Sequence, residues 1–327
     1  MIYEYTKIGI HHSVTYKDFS DVRKPREVSE ESRANLLQNN KGKKYNGYMS
    51  KETARRVKEY INVFVQVLYY GSKQRRKPTF VTLTLPSRQM HSDNEIKRHM
   101  LNDFIKNMKR KTDTKYNVWR AEPQGNGNIH FHLLMDTYID WKLIRGHWNR
   151  ILNRHKYIDE YRKNMNTFHK EGFQVREDLL RVWTLEKQKK AYEYGIKTNW
   201  SNPNTTDIHA LQRVKSIGSY ITKYMCKSDA NGRAITGRIW GASKEIKGLK
   251  YYKETLAIHD FDNTATNYDM TDYLTELENE QNTEVKGNDY FEVYIHRQSS
   301  DELLKKHSKT IYARYKDYYV QLYSQMY

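Results

Sequence analysis

The spacing of apolar residues changes along the first part of the chain, and each change predicts a different element. From residue 50 to 70, apolar positions recur every three or four residues, as on one face of a helix. Ser50 and Glu52 are typical of a helix start, and Gly71 of a helix end. The next apolar run, at 79–85, is rich in β-branched residues and lies between two prolines, which predicts a buried strand.

Two strands joined by a short loop follow the next predicted helix. This helix, at 93–111, has a strongly basic polar face. Strand-like runs at 117–123 and 129–136 flank the loop sequence QGNGN, whose glycine and asparagine residues are typical of a hairpin. Further along, the pattern predicts a helix at 141–153, a strand at 205–211 and a helix from about Val214 to Lys227.

The remaining segments have weaker patterns. Residues 1–48 are charged and polar, and residues 154–190 are basic without a clear period. Residues 260–288 are acidic and rich in Asn and Thr, which predicts a linker or an exposed helix, before a strand at 289–297 and a helix at 300–327. Because hairpins alternate with helices, we predict an α+β fold, with a central antiparallel sheet flanked by helices and a C-terminal appendage.

The composition points to a polyanionic partner. The chain has 327 residues, and 57 Lys and Arg against 39 Asp and Glu give it a net charge of +18, which favours nucleic acid. No apolar run approaches the roughly 20 residues that cross a bilayer, so a membrane-spanning protein is excluded. Because Cys226 is the one cysteine and the N-terminus lacks a signal-peptide pattern, disulfides and Cys-rich zinc modules are excluded, and we expect a cytoplasmic protein.

Two histidines in the predicted hairpin are candidate metal ligands. Because strand side chains alternate, His130 and His132 emerge on the same face and can share one ion. Hairpin pairing could bring Glu122 beside them, which gives two imidazoles and one carboxylate, a set that suits a divalent metal with open positions. The alternative is that both histidines are hydrogen-bonded structural residues.

A second cluster lies in the predicted helix GSYITKYMCK. Tyr220 and Tyr224 are one helical turn apart, so their phenols share a face, roughly 6 Å apart along the axis. Tyrosine pairs at this spacing recur in the chain, but this pair has a lysine at the third position after each tyrosine, at Lys223 and Lys227. The lysines could pair with phosphate and stabilise a phenolate; alternatively, they are the solvent-facing residues of an amphipathic helix.

Taken in order, these motifs resemble the HUH endonuclease superfamily, specifically the two-tyrosine rolling-circle replication initiators (Rep) of small single-stranded DNA phages and bacterial plasmids. FVTLTLPS at 80–87 is similar to the family's first motif, HFH at 130–132 to its His-hydrophobic-His motif, and YITKYMCK at 220–227 to its nucleophile motif. The resemblance covers about residues 78–230. It implies a central antiparallel sheet that carries the metal site, with the tyrosine helix packed alongside.

The resemblance also implies a mechanism. His130 and His132, with Glu122 as third ligand, would hold Mg²⁺ or Mn²⁺ against the scissile phosphate. One tyrosine would attack phosphorus, release a 3′-hydroxyl and form a 5′-phosphotyrosine, and the other would act in a later transfer, with the order left open. The third ligand varies within the family, and the Asp207 and His209 pair is another candidate, for which we favour a structural or outer-sphere role.

The domains and partners follow from the same resemblance. We expect an N-terminal helical extension at 1–75 packed on the core, an HUH endonuclease core at 76–258 and a C-terminal appendage at 259–327. The basic faces at 106–111 and 145–156 are expected to contact phosphates of single-stranded origin DNA, while aromatic rings stack on unpaired bases. No GxxxxGK[ST] loop occurs in the sequence, so unwinding would come from a helicase of a bacterial host, which would also supply the polymerase.

Three other functions remain open. A two-tyrosine HUH transposase shares the chemistry, but no N-terminal zinc module is recognisable. A relaxase would place its nucleophile before the histidine motif. A non-catalytic single-stranded nucleic-acid-binding protein, whose His and Tyr residues only pack and stack, would show neither metal-dependent cleavage nor a covalent adduct.

Overall fold

The computed structural model describes residues 2–19, 29–32, 35, 47–72, 77–209, 217–226, 233–259 and 264–327. The chain forms two compact units. The first comprises Met1–Tyr45, Arg55–Arg76 and Lys244–Tyr327, and the second comprises Asn46–Ala54 and Lys77–Ser243. Each unit has one antiparallel sheet together with helices, which confirms the predicted α+β class.

The described residues contain the following elements. The strands are β1 (Ile2–Ile8), β2 (His12–Asp18), β3 (Thr79–Leu83), β4 (Asn117–Pro123), β5 (Ile129–Met135), β6 (Thr206–His209), β7 (Trp240–Ala242), β8 (Tyr252–His259), β9 (Thr264–Thr266), β10 (Thr283–Asn288) and β11 (Phe291–His296). The helices are α1 (Lys51–Gly71), α2 (Asp93–Glu95, continued by π-helical Ile96–Leu101 and by Asn102–Lys111), α3 (Trp141–Arg154), α4 (Tyr157–Phe168), α5 (Leu185–Lys197), α6 (Ile217–Met225), α7 (Tyr268–Asn279), α8 (Ser300–His307) and α9 (Lys309–Met326).

The first unit contains a six-stranded sheet in the order β10-β11-β2-β1-β8-β9. Its strands β1 and β2 correct the prediction of a helical extension in the N-terminal segment, because both pair with strands far away in the sequence, β8 and β11. Such pairing leaves little local signal, since cross-strand contacts rather than backbone preference stabilise a strand. The unit boundaries lie near residues 45, 55, 76 and 244, whereas the predicted segments meet at 75/76 and 258/259.

Residues 260–288 are only partly the exposed helix or linker that their composition predicts. The described part contains α7, with β9 before it and β10 after it. One side of α7 is buried through Met270, Tyr273, Leu274 and Leu277. The strand at 289–297 is confirmed as β11, and the helix at 300–327 is divided into α8 and α9 at Ser308, which caps the second helix.

The second unit contains a five-stranded sheet in the order β6-β3-β5-β4-β7. Every neighbouring pair is antiparallel, and the predicted hairpin is confirmed as β4 and β5. In its loop, Gly127 has a φ of +81°, which a residue with a side chain rarely adopts, and its amide donates to the Gln124 carbonyl. This turn fixes the register of the two strands.

The sheet of the second unit has one apolar face and one polar face. Val81, Leu83, Phe131 and Leu133 point to one side and join a buried core with residues of α2 and α3. The residues between them, beginning with Thr82 and His132, emerge on the other side. Alternation along the strands therefore separates the structural core from the polar face.

Helices account for most of the segment 154–204, which the sequence pattern left unassigned. They are α4 and α5, joined by a loop with one 3-10 turn at Glu177–Leu179. In the part of the chain that the structure describes, no helix is both long and apolar enough to cross a membrane.

Candidate metal and nucleophile site

The hairpin places the three predicted metal ligands together. Glu122 lies directly opposite His130 in the register of β4 and β5, and His132 follows two residues later on the same face. Glu122 Oε1 is 2.9 Å from His130 Nε2 and 2.5 Å from His132 Nε2. One potential ligand atom from each residue lies within 4.8 Å of the others. The eight-residue spacing therefore makes a local cluster because the loop between the strands is short.

The protonation states of this cluster suit metal binding. Burial would raise the pKa of Glu122, but hydrogen bonds from His130 and His132 outweigh it and hold that pKa well below its usual value. Burial lowers the pKa of His132, although the hydrogen bond to Glu122 and its charge act in the opposite direction. The carboxylate is thus ionised and the buried imidazole neutral at neutral pH, the forms in which both residues bind metals.

The donor set fits a divalent cation. Two imidazole nitrogens and a carboxylate oxygen converge from one side, as in metal sites that keep other coordination positions open for oxygen ligands. The Oε1 atom already draws both Nε2 atoms to hydrogen-bonding distance, so the three side chains need little rearrangement to meet a common ion. These residues could therefore hold a divalent metal.

A hydrogen-bond chain leads from the metal group to the edge of the sheet. His132 Nδ1 is 2.9 Å from Thr82 Oγ1, and Thr82 Oγ1 is 3.3 Å from His209 Nε2. His209 Nδ1 is in turn 2.9 Å from the Tyr220 hydroxyl. Asp207, the other half of the alternative ligand pair, is exposed, and its carboxylate lies 3.9 Å from His209. His209 thus contacts a ligand indirectly, through Thr82.

The direction of this chain follows from its carboxylate end. Because Glu122 Oε1 can only accept, His132 Nε2 donates to it and His132 Nδ1 accepts from the Thr82 hydroxyl. The Thr82 oxygen then accepts from His209 Nε2, which leaves His209 Nδ1 to accept from the Tyr220 hydroxyl. Burial lowers the pKa of His209, which keeps this imidazole neutral and able to accept a proton.

Helix α6 places both candidate nucleophiles over this face. The rings of Tyr220 and Tyr224 have centroids 5.2 Å apart, as expected for residues one turn apart. The Tyr224 ring lies 5.5 Å from His132 and 5.3 Å from His209. Phe80 lies beneath both tyrosines, at 6.5 and 5.9 Å. The structure therefore brings the tyrosine pair to the metal group, although they are about 90 residues apart in sequence.

The two tyrosines do not have equivalent hydroxyls. A hydrogen bond with Tyr224, together with partial burial and the charge of Asp207, raises the pKa of Tyr220 to about 12. Lys223, predicted to favour the phenolate, is exposed on α6, and Lys227 lies outside the described residues. The Tyr220 phenol is therefore protonated at neutral pH and depends on a base.

A buried arginine also belongs to this site, and the sequence motifs gave no sign of it. Arg120 is 0 % exposed, and its Nε lies 3.7 Å from Glu122 Oε2. Its Nη1 donates to the carbonyl of Met225, the last residue of α6, at 3.2 Å. One side chain thereby joins the metal-group strand to the tyrosine helix.

Comparison with known proteins gives one match. No curated protein and no solved structure matches the chain. Residues 78–229, which contain all the described side chains of the site, match a family model of replication-associated proteins, the ORF2 type. The match supports a role in replication initiation for a chain whose second unit is similar to that family.

Proposed function

We propose that this protein initiates rolling-circle replication by nicking and rejoining single-stranded DNA at an origin. One observation carries the proposal: the Tyr220 hydroxyl is joined through His209 and Thr82 to His132 of the metal-ligand group. A nucleophile, a proton acceptor and a cation site on one sheet face are the components that phosphodiester cleavage needs. The match to replication-associated proteins supports the biological context.

The metal group would bind the scissile phosphate. His130, His132 and Glu122 would hold Mg²⁺ or Mn²⁺, which, when bound, supplies Lewis-acid polarisation of the phosphate oxygens. Glu122 and the neutral imidazoles offset one of the two positive charges, so the site keeps a net attraction for phosphate. Arg120 lies behind Glu122 and fixes the orientation of its carboxylate.

Tyr220 is the nucleophile that the hydrogen bonds favour. Its hydroxyl gives its proton to His209 Nδ1, and the phenolate oxygen attacks phosphorus. The new bond joins Tyr220 to the 5′-phosphate, the bond from phosphorus to the 3′ oxygen breaks, and the released 3′ oxygen takes up a proton. The phosphodiester energy is retained in the phosphotyrosine, so the 3′-hydroxyl can reverse the reaction and rejoin the strand.

Tyr224 is placed to take part in the second transfer. Its ring lies 5.2 Å from that of Tyr220, so a phosphate held near one phenol is within reach of the other after a small movement. Lys223 is exposed beside both residues and would contact the DNA backbone rather than the buried chain. Lys227 would extend this basic edge.

The proposed substrate explains the charge of the molecule. Lys106, Lys109 and Arg110 on α2 are exposed, as are Arg150 and Arg154 on α3, which suits contacts with phosphate. Single-stranded origin DNA is the proposed partner, and a helicase and a polymerase of a bacterial host would supply unwinding and synthesis.

The proposal is tested by covalent adduct formation. The full chain is mixed with labelled single-stranded DNA that tiles its own replicon, with Mn²⁺ or with chelator, and the products are separated on a denaturing gel. We expect an adduct that disappears with chelator, with His132→Ala and with the double substitution of Tyr220 and Tyr224 by phenylalanine. The exposed Tyr290 is the matched control, and Tyr290→Phe is expected to leave adduct formation unchanged.

The two single tyrosine substitutions assign the first step. Tyr220→Phe should remove the first adduct, whereas Tyr224→Phe should retain it and lose only the transfer. Binding without any adduct across the tiled replicon would refute the nicking reaction and favour a non-catalytic binding protein. Adducts at transposon ends rather than at an origin would favour the transposase.

A further inference from the structure

The second unit contains a cavity that the nicking chemistry does not use. It has a volume of about 330 Å³ and lies among residues of α3, α4, α5 and the loop before β6. Sites for small organic ligands begin at about this size. The cavity is therefore large enough for a planar ring system such as a nucleobase.

Aromatic rings dominate its lining. The His169 ring stacks on the Trp200 ring with 5.3 Å between centroids and 2° between planes. Tyr192 and Phe173 lie beside His169, at 4.8 and 6.3 Å, and Tyr161 contacts Trp200 edge-on. Such rings offer flat faces on which any base can stack.

One polar atom in this lining lacks a partner. Trp200 is 5 % exposed, and its indole Nε1 is buried with no hydrogen-bond partner among the described residues. A buried donor of this kind is costly unless a ligand or another acceptor satisfies it. An acceptor atom on the edge of a base would do so.

The backbone around Trp200 is held in an uncommon conformation. Asn199 and Trp200 have φ values of 48° and 51°, which residues with side chains rarely adopt. Gly195 makes room for the indole, because a Cβ there would lie 2.0 Å from the Trp200 ring. The fold therefore fixes this ring against the cavity at the cost of local strain.

A half-buried cation adjoins the aromatic lining. Arg145 donates to Asn204 Oδ1 at 2.6 Å and to Thr206 Oγ1 at 3.4 Å, and in the described part of the chain no carboxylate pairs with it. Its guanidinium also lies 4.8 Å from the Trp141 ring. Residues 141–204 carry 14 Lys and Arg against 7 Asp and Glu, so the surrounding field favours a phosphate at this arginine.

The cavity adjoins the edge strand of the catalytic sheet. Pro203 and Asn204 line it, and two residues later β6 begins, with His209 near its end. Five extended residues span about 17 Å. A DNA strand at the Tyr220 site could therefore continue past β6 to the cavity.

We propose that this cavity binds one unpaired nucleobase of the single-stranded DNA, close to the nicked phosphate. The aromatic rings stack on the base, Trp200 Nε1 donates a hydrogen bond to its edge, and Arg145 holds the neighbouring phosphate. The identification of the ligand as DNA rests on the proposed function.

A scan of single abasic positions tests the site. The full chain is titrated, in chelator, with the tightest-binding labelled oligonucleotide from its replicon and with copies that lack one base each. We expect one position at which base removal weakens binding by about 5- to 150-fold, the range for loss of one stacked base, while its neighbours change little. Chelator prevents cleavage, so this measurement does not depend on the nicking activity.

Two substitutions connect that position to the cavity. Trp200→Phe keeps a ring but removes the donor, and should weaken binding by roughly 2- to 12-fold and reduce the abasic effect. Trp119→Phe, at a tryptophan outside the cavity, is its matched control. Arg145→Gln should lower the salt dependence of binding by about one ion, with the exposed Arg238 as its control residue.

A flat abasic profile, or full affinity and an unchanged abasic profile in Trp200→Phe, would overturn the base-binding site. Failure of this site is distinguishable from failure of the proposed function. A metal-dependent adduct with a flat profile would keep the nickase and remove the cavity from DNA binding. A position-specific profile without any adduct would keep the base site and remove the nickase.

Discussion

His209→Gln should slow the covalent step without removing either tyrosine or any metal ligand. The pKa of Tyr220 is raised to about 12, so at pH 7 only about one molecule in 10⁵ carries the phenolate. His209 Nδ1, 2.9 Å from the hydroxyl, is the nearest proton acceptor on the chain's own hydrogen-bond path. A positioned base contributes about 10²- to 10⁴-fold, and we expect a loss in that range at neutral pH.

The assay is single-turnover adduct formation with protein in excess over labelled DNA, in Mn²⁺, from mildly acidic to strongly alkaline pH. The wild-type rate needs neutral His209, whose pKa is lowered by burial, raised by Asp207 and lowered by His132. The rate should therefore hold through neutral pH and fall only below the usual histidine range. In His209→Gln the deficit should narrow towards alkaline pH, because solvent then ionises the phenol without a base.

A merely structural role for His209 would give a different profile. Loss of packing beside Phe80 would slow the reaction equally at every pH, whereas loss of a base slows it least when the phenol is already ionised. The exposed His99 serves as the control, and His99→Gln should keep both the rate and its profile. A constant deficit across pH, or none at all, would refute His209 as the proton acceptor.

Three further substitutions test other parts of the site. Thr82→Val keeps the shape but breaks the link between His132 and His209, and should slow adduct formation by about 10- to 100-fold in the same assay; an unchanged rate would make the link irrelevant. Glu122→Gln should weaken Mn²⁺ binding by at least about 10- to 100-fold in calorimetric titration, and unchanged affinity would place the ion elsewhere. Arg120→Met should lower the free energy of unfolding by about 1.5–3 kcal/mol, measured with urea, because the Met225 carbonyl loses a charged donor; equal stability would contradict its anchoring role.

The sequence allowed the hairpin and its ligands to be predicted because their signals are local. The QGNGN loop sets a short turn, alternation sets the faces, and together they put Glu122 opposite His130. Strands β1 and β2 gave no comparable signal, since their partners lie more than two hundred residues away. The helices between 154 and 204 were missed because their exposed sides carry apolar residues such as Val182 and Ile196, which obscure the period.

Within the site, the residues that the motifs missed are those that connect its parts. Thr82 resembles any threonine in a β-rich run, and Arg120 resembles an exposed charge until the fold buries it. The one available signal for Thr82 was parity, because it alternates with the buried Val81 and Leu83 and so belongs to the face of the histidines. Contacts between β3 and β6, which are about 125 residues apart, cannot be derived from such local patterns.

The position of Thr82 has a chemical consequence, because a hydroxyl can reverse its hydrogen bonds. In the described arrangement His132 Nε2 holds the proton and donates to Glu122, and His209 Nδ1 accepts from Tyr220. When His132 Nε2 binds a cation, its remaining proton must lie on Nδ1, and Thr82 then accepts there and donates to His209 Nε2. His209 can in turn keep on Nδ1 the proton that it takes from Tyr220 and present it to the phenolate oxygen, which favours the nucleophilic form. A threonine between two histidines can thus couple occupation of the metal group to the charge of the nucleophile, which valine at that position cannot do.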